Sequence, residues 1–229
     1  MSIADSAGQR YQHDMPYDAF SHVDHWVFDL DNTLYPPEVR LFDQIERHMA
    51  TFVMDALSVD EATAHRLRRH YWETHGTTLA GLMVEHDIDP EKFLNAVHDI
   101  DLSAITPDVN LRARIKALPG RKIIYTNGSR EHGEKVSAAC GLDGIFDAIY
   151  GIEDAKYAPK PHLAAFETIF AADKVNTTAA AMFEDDPRNL SIPHQLGMKT
   201  VLVGTSPAED HIHFQTSDLS DFIGNLVRT

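Results

Sequence analysis

The chain has 229 residues, 43% hydrophobic and 24% charged, the balance of an ordinary globular protein rather than a disordered, collagen-like or coiled-coil one. Its 35 acidic against 20 basic residues leave a net charge of −15, which argues against a nucleic-acid partner because each phosphate contact needs a cation. No apolar run approaches the roughly 20 residues that a bilayer span requires, so no membrane partner is expected either. Residues 1–20 carry acids and no continuous apolar stretch, so they read as a tail and not a secretory signal, with the cytoplasm as the default location. Full protonation of the 14 histidines nearly cancels the net charge, so solubility is expected to be lower near pH 5 than at pH 8.

The first strand signal is the apolar run His25–Leu30, HWVFDL. From Glu38 to about Ile105 the signal is helical only. Leu41, Phe42, Ile45, Met49, Phe52, Val53 and Leu57 recur at three- and four-residue intervals and make one apolar face, in which Phe42 and Phe52 read as core. Ser58-Val59-Asp60-Glu61 fits a capping box opening a second helix, on which Arg66, Arg68, Arg69 and His70 read as a solvated basic face. Asp89-Pro90 and Thr106-Pro107 each have the look of an N-cap followed by proline at the first helical position.

Strand-like runs then return at Lys122–Thr126, Ala148–Gly151, Ala180–Glu184 and Lys199–Val203. Helical patterns separate them, one over Glu131–Cys140 and one from Pro161 to about Ala172, which makes βαβ units and an α/β fold. The lone Cys140 lies in an apolar stretch and reads as a core thiol; it cannot close an internal disulfide. His211 and His213 have no acid or cysteine cluster beside them and read as an exposed pair near the end of the chain. The expected organisation is a tail at 1–20, an α/β core made of 21–36 and 106–229, and a helical unit at 37–105 inserted after the first strand.

In open α/β sheets, ligands bind at the carboxyl ends of the strands. Here those ends carry Asp29-Leu30-Asp31-Asn32-Thr33, then Thr126-Asn127-Gly128, then Glu184-Asp185-Asp186-Pro187, with Lys160 ahead of the Pro161 helix. Carboxylates with a spare backbone carbonyl suit Mg²⁺, a hard cation that takes oxygen ligands. A lysine and a threonine hydroxyl suit the remaining oxygens of a phosphate. Asp29 is then placed to attack phosphorus, and Asp31, two residues on, to protonate a leaving alkoxide and activate water. A calcium-loop reading fails, because counting from Asp29 puts Leu34 and Arg40 where that loop needs glycine and glutamate.

The order of these motifs resembles the haloacid dehalogenase-like superfamily of phosphatases. The matching pieces are Asp29–Leu34, Thr126-Asn127-Gly128, Lys160-Pro161 and Asp185-Asp186. The resemblance implies a Rossmann-like doubly wound parallel sheet, with 37–105 as an inserted all-helical cap domain. It implies Asp29 as nucleophile and Asp31 as acid and base, with Thr126, its neighbour Asn127 and Lys160 on the phosphate. Mg²⁺ is implied on Asp29, the Asp31 backbone carbonyl and Asp186, with Asp185 ligating directly or through water. Where many members carry a further acid, this chain has Asn189.

Asp29–Pro37, Gly76–Leu79 and Phe183–Asp186 further resemble pyrimidine 5′-nucleotidases. That narrower likeness implies hydrolysis of UMP- or CMP-like phosphomonoesters, with Tyr35, Thr77 and Thr78 as candidates for contact with the nucleoside. The rival readings are a sugar-phosphate phosphatase or phosphomutase of the same superfamily, and a non-catalytic binding protein that keeps the fold. Dehalogenation fits less well, since a departing halide has no need of the acid at Asp31.

Overall fold

A computed structural model describes residues 16–207 and 209–227; the expected tail, up to residue 15, lies outside them. The chain enters through α1 (Pro16–Phe20) and β1 (His25–Phe28). Four helices follow: α2 (Leu41–Leu57), α3 (Glu61–His75), α4 (Thr78–His86) and α5 (Pro90–Val97). After α6 (Val109–Ala117) come β2 (Arg121–Tyr125), α7 (Arg130–Ala139), β3 (Ala148–Tyr150) and α8 (Leu163–Asp173). The last third holds β4 (Ala180–Glu184), α9 (Ser191–Gln195), β5 (Lys199–Val203), β6 (Phe214–Thr216) and α10 (Leu219–Leu226).

The strands form one parallel sheet in the order β3-β2-β1-β4-β5-β6, so successive crossovers leave β1 in opposite directions. That is a doubly wound sheet, with its switch point between β1 and β4. Side chains alternate between its two faces. Trp26, Phe28, Ile124, Phe183 and Val201 pack under α1, α6, α7 and α10, and Cys140 is buried among them. Val27, Ile123, Tyr125, Met182 and Leu202 pack against α8. Burial on both faces explains the near-continuous apolar runs in the sequence.

Strand β6 is new relative to the sequence reading. It is three residues long at the sheet edge and only partly buried, so it leaves no apolar run to detect. Its return beside β5 also gives partners to the two histidines read as exposed, of which His213 is exposed and His211 only partly so. His211 donates to the Pro187 carbonyl at 2.7 Å, and His213 Nδ1 lies 2.8 Å from the Thr200 hydroxyl.

Helices α2 to α5 enclose an apolar cluster of their own, built on Ile45, Val53, Tyr71, Leu82, Phe93 and Val97. Phe52 packs edge-on to Phe93, as read from the sequence. Gly81 is needed because a Cβ there would lie 2.3 Å from the Tyr71 ring, so only glycine lets α3 and α4 approach. Two caps differ from expectation. Asp60 rather than Ser58 caps α3, accepting from the Thr63 amide, while Ser58 ends α2 in the left-handed region. Asp108 rather than Thr106 caps α6, accepting from two amides. Asp89 caps α5 as expected.

Along the sheet's other buried face, Arg121 makes a bidentate pair with Asp173 at 2.6 and 2.7 Å, and the Tyr150 hydroxyl donates to the same carboxylate at 2.8 Å. The Asp173 side chain is fully buried, and all its partners are protein groups.

Candidate active site

Parallel pairing sets the tips of β1, β2 and β4 side by side, because Phe28 stands opposite both Ile124 and Phe183. The residues just beyond carry the chemistry: Asp29 and Glu184 come next along their strands, and Thr126 stands two residues past Ile124. All three are buried, and all line one cavity of about 870 Å³ between the sheet and the four helices. That size lies within the usual range for small-molecule sites.

Lys160 is the centre of charge. It is 1% exposed and its ammonium donates to Asp29 Oδ1 at 2.7 Å, to Glu184 Oε1 at 2.7 Å and to the Tyr125 carbonyl at 3.0 Å. Asn127 holds the lysine's backbone from both sides, accepting from its amide at 2.8 Å and donating to its carbonyl at 3.2 Å. Asn127, which the sequence reading put on the phosphate, lines the cavity and positions Lys160. Thr126 accepts from the Gly128 amide through its hydroxyl oxygen at 2.9 Å, which turns the loop and leaves its O–H to donate into the cavity.

Asp29 binds Lys160 through Oδ1 only, leaving Oδ2 for a ligand. Burial, with Glu184 nearby, pushes its carboxyl up to about 7 against the pull of Lys160. Burial, followed by Glu184 and Asp29, pushes Asp185 up to about 9. Burial acts downward on Lys160, yet Asp29 and Glu184 outweigh it and keep the ammonium charged.

Asp31 stands apart from this group. His132, buried on α7, donates to its Oδ1 at 3.1 Å, and the Tyr35 hydroxyl donates to the same oxygen at 2.7 Å. Burial acts upward on Asp31, but His132 and Tyr35 outweigh it and hold the carboxyl below its usual range. His132 stacks on His98 with ring centres 4.2 Å apart, and burial followed by His132 pulls His98 down to about 3.

Several candidates change place. Tyr35 is 3% exposed and serves Asp31, so it does not face a nucleoside. Thr77 and Thr78 do line the cavity, with Thr77 also capping α4. The sequence reading put Asp186 on the metal, with Asp185 ligating directly or through water; the structure gives the two side chains different partners. Asp186 caps the short 3-10 turn at Pro187–Leu190, and its carboxylate is paired with Arg188 at 2.6 Å. Asp29, Glu184 and Asp185 instead present oxygens within 4.8 Å of one another. Phe42 and Arg68, read as core and as solvated face, both line the cavity. Glu184 and His132 were missed: a charge closing the buried run Ala180–Glu184 was the available signal for the first, and nothing local marked the second.

The haloacid dehalogenase-like hydrolase family matches residues 26–203 of the chain. The chain belongs to this family. Phosphate metabolism protein 8 of Saccharomyces cerevisiae is 26% identical over 193 residues, a match spanning 77% of this chain and 60% of the yeast protein, less than two thirds of its length. CbbY from Rhodobacter sphaeroides, solved in complex with phosphate, shares the fold with a TM-score of 0.64 at 16% identity, over 89% of this chain and 99% of that one. YfnB from Bacillus subtilis, solved bound to magnesium, has a TM-score of 0.58 at 16% identity, over 89% of this chain and 98% of that one. Dehalogenases are also among the solved structures with this fold. A fold so widely shared leaves the reaction to be argued from the site.

In this haloacid dehalogenase-like hydrolase the donor set fits a hard divalent cation. Three carboxylates cluster where one ammonium binds only two of them, and among the described residues the buried Oδ1 of Asn189 has no partner while its Nδ2 donates to Glu184 at 2.7 Å. Surplus negative charge and an orphan oxygen are what such an ion relieves.

Proposed function

We propose that the chain is a Mg²⁺-dependent phosphomonoester hydrolase working through an aspartyl-phosphate on Asp29, with pyrimidine nucleoside monophosphates such as UMP and CMP as substrates. Helices α2 to α5, within residues 37–105, then act as a cap over the site. The observation that carries the reading is the division of labour between two carboxyls two residues apart. Asp29 is fixed by Lys160 through one oxygen, and Asp31 is fixed by His132 and Tyr35 through one oxygen.

In this reading Asp29 Oδ2 attacks phosphorus and the ester bond breaks, while the ionised Asp31 relays to the leaving alkoxide the proton that the monoanionic phosphate ester brings. Water then attacks the acyl-phosphate while Asp31 takes its proton and hands it to the departing phosphate, which restores both carboxyls. Thr126 and Lys160 hold the equatorial oxygens as charge spreads over them. Asp29 and Asp185, with the Asp31 backbone carbonyl, would hold Mg²⁺, which neutralises phosphate charge when bound. A sugar-phosphate phosphatase shares all of these steps; the nucleotide reading is supported by the narrower sequence resemblance and by the cavity's aromatic lining.

The test is phosphate release from a panel of esters with Mg²⁺ and with EDTA. UMP and CMP are expected to lead the sugar phosphates in kcat/KM, and EDTA to abolish turnover. Inert phosphate esters together with turnover of a 2-haloacid would overturn the phosphatase reading.

A further inference from the structure

The far end of the cavity, on α3, holds a mostly buried cation with no adequate partner among the described residues. The Arg68 side chain is 13% exposed, and its Nε is buried without a partner. Its Nη2 lies 3.6 Å from Glu46, beyond hydrogen-bond reach, and its Nη1 lies 3.5 Å from His65 Nδ1. A buried guanidinium with unspent donors costs free energy that the fold must recover elsewhere or in a ligand. Arg68 lines the same cavity as Asp29 and Lys160.

The surroundings say what kind of ligand. Trp72, one turn along α3, and Phe42 of α2 are 47% and 38% exposed, and both line this cavity, with the Arg188 guanidinium over one face of the Trp72 ring. Large exposed aromatics beside a planar donor fork suit a flat heterocycle. Charge at this end is already matched, since Glu46 and Glu73 line the cavity with Arg68 and Arg69. A second phosphate or carboxylate would disturb that balance, whereas neutral ring nitrogens and carbonyl oxygens would satisfy the donors without adding charge.

We propose that Arg68 is a specificity residue that reads the hydrogen-bond-acceptor edge of the substrate's nucleobase, with Trp72 and Phe42 supplying apolar contact to the ring. The inference rests on the phosphatase reading of the same cavity and adds the chemistry of the substrate's far end. A bidentate guanidinium contact to a base edge discriminates by about tenfold to hundredfold.

The experiment measures kcat/KM for CMP and for ribose 5-phosphate, which keeps the phosphate and sugar but lacks the base, and separately measures cytidine binding by calorimetry. Arg68→Met keeps the length and removes the donors; Arg68→Lys keeps the charge and removes the fork. Both are expected to lower kcat/KM on CMP by about tenfold to hundredfold, to stay within about twofold of the parent on ribose 5-phosphate, and to weaken cytidine binding. For Arg68→Met, Tm is expected to hold or rise, because an unsatisfied cation is lost. Equal losses on both esters, an unchanged rate on CMP, or a parent enzyme that cleaves ribose 5-phosphate as well as CMP would overturn the role of Arg68 and leave the phosphatase reading standing. A parent that cleaves no phosphate ester would end the phosphatase reading; cytidine binding lost in Arg68→Met would then still support the base contact, and cytidine binding absent from the parent or unchanged in the variant would overturn it.

Discussion

Two buried ion-pair clusters sit in this sheet, and they differ in one respect. Arg121, Asp173 and Tyr150 form a closed set, in which the carboxylate's charge and hydrogen bonds are met by protein groups. Lys160, Asp29, Glu184 and Asp185 form an open set, with more acid than base and free oxygens facing a cavity. Burying charge is common to both, so burial alone does not mark function. The imbalance does, because a fold tolerates surplus buried charge only where something else completes it.

Substitutions separate the two sets. Asp29→Asn is expected to lower turnover by at least about 10³-fold, since the amide cannot take up phosphorus. Its Tm should hold or rise, because one surplus acid is gone; a large fall in Tm would place Asp29 in the closed class instead. Asp31→Asn is expected to cost about 10²- to 10⁴-fold in kcat, the usual worth of a general acid and base, again with little change in Tm. Asp173→Asn should do the opposite. Parent-like kcat is expected with a loss of about 2 kcal/mol, the cost of breaking a buried pair discounted for the partly exposed Arg121, or a fall in Tm of about 4–8 °C.

A smaller effect comes from His98, whose folded pKa of about 3 lies below its ordinary 6.5. Below pH 6.5 the unfolded chain takes up a proton that the folded chain refuses, so stability falls as pH drops toward 3 and is unaffected above 7. The slope is at most about 1.4 kcal/mol per pH unit. His98→Asn is expected to lose about 1 kcal/mol less than the parent between pH 7 and 5.5 in urea unfolding; parallel losses would show that His98 protonates freely in the fold.

Sequence reading went furthest where the chain repeats a rule. Strands buried on both faces left apolar runs, whose ends carried Asp29, Asp31, Thr126, Asp185 and Asp186, with Lys160 ahead of the Pro161 helix. It stopped where partners are distant in the chain. Whether Asp185 or Asp186 faces the acid cluster depends on a 3-10 turn that spends Asp186 on Arg188, and two adjacent aspartates look alike before that turn forms. His132 reaches Asp31 across 101 positions, and Arg68 could be told from its exposed neighbours only by the packing of α2 against α3. Strand β6 was too short and too open to show a period.

The Arg188 guanidinium lies 3.8 Å from the centre of the Trp72 ring, joining the segment after β4 to α3. The chain has two tryptophans, and the other, Trp26, is 1% exposed with its indole N–H bonded to the Pro119 carbonyl. Any swing of the helical layer away from the sheet therefore strips a cation from one indole and leaves the other untouched. Such a swing would register as a change of emission colour in stopped flow without a label, with Trp26 as the constant internal reference.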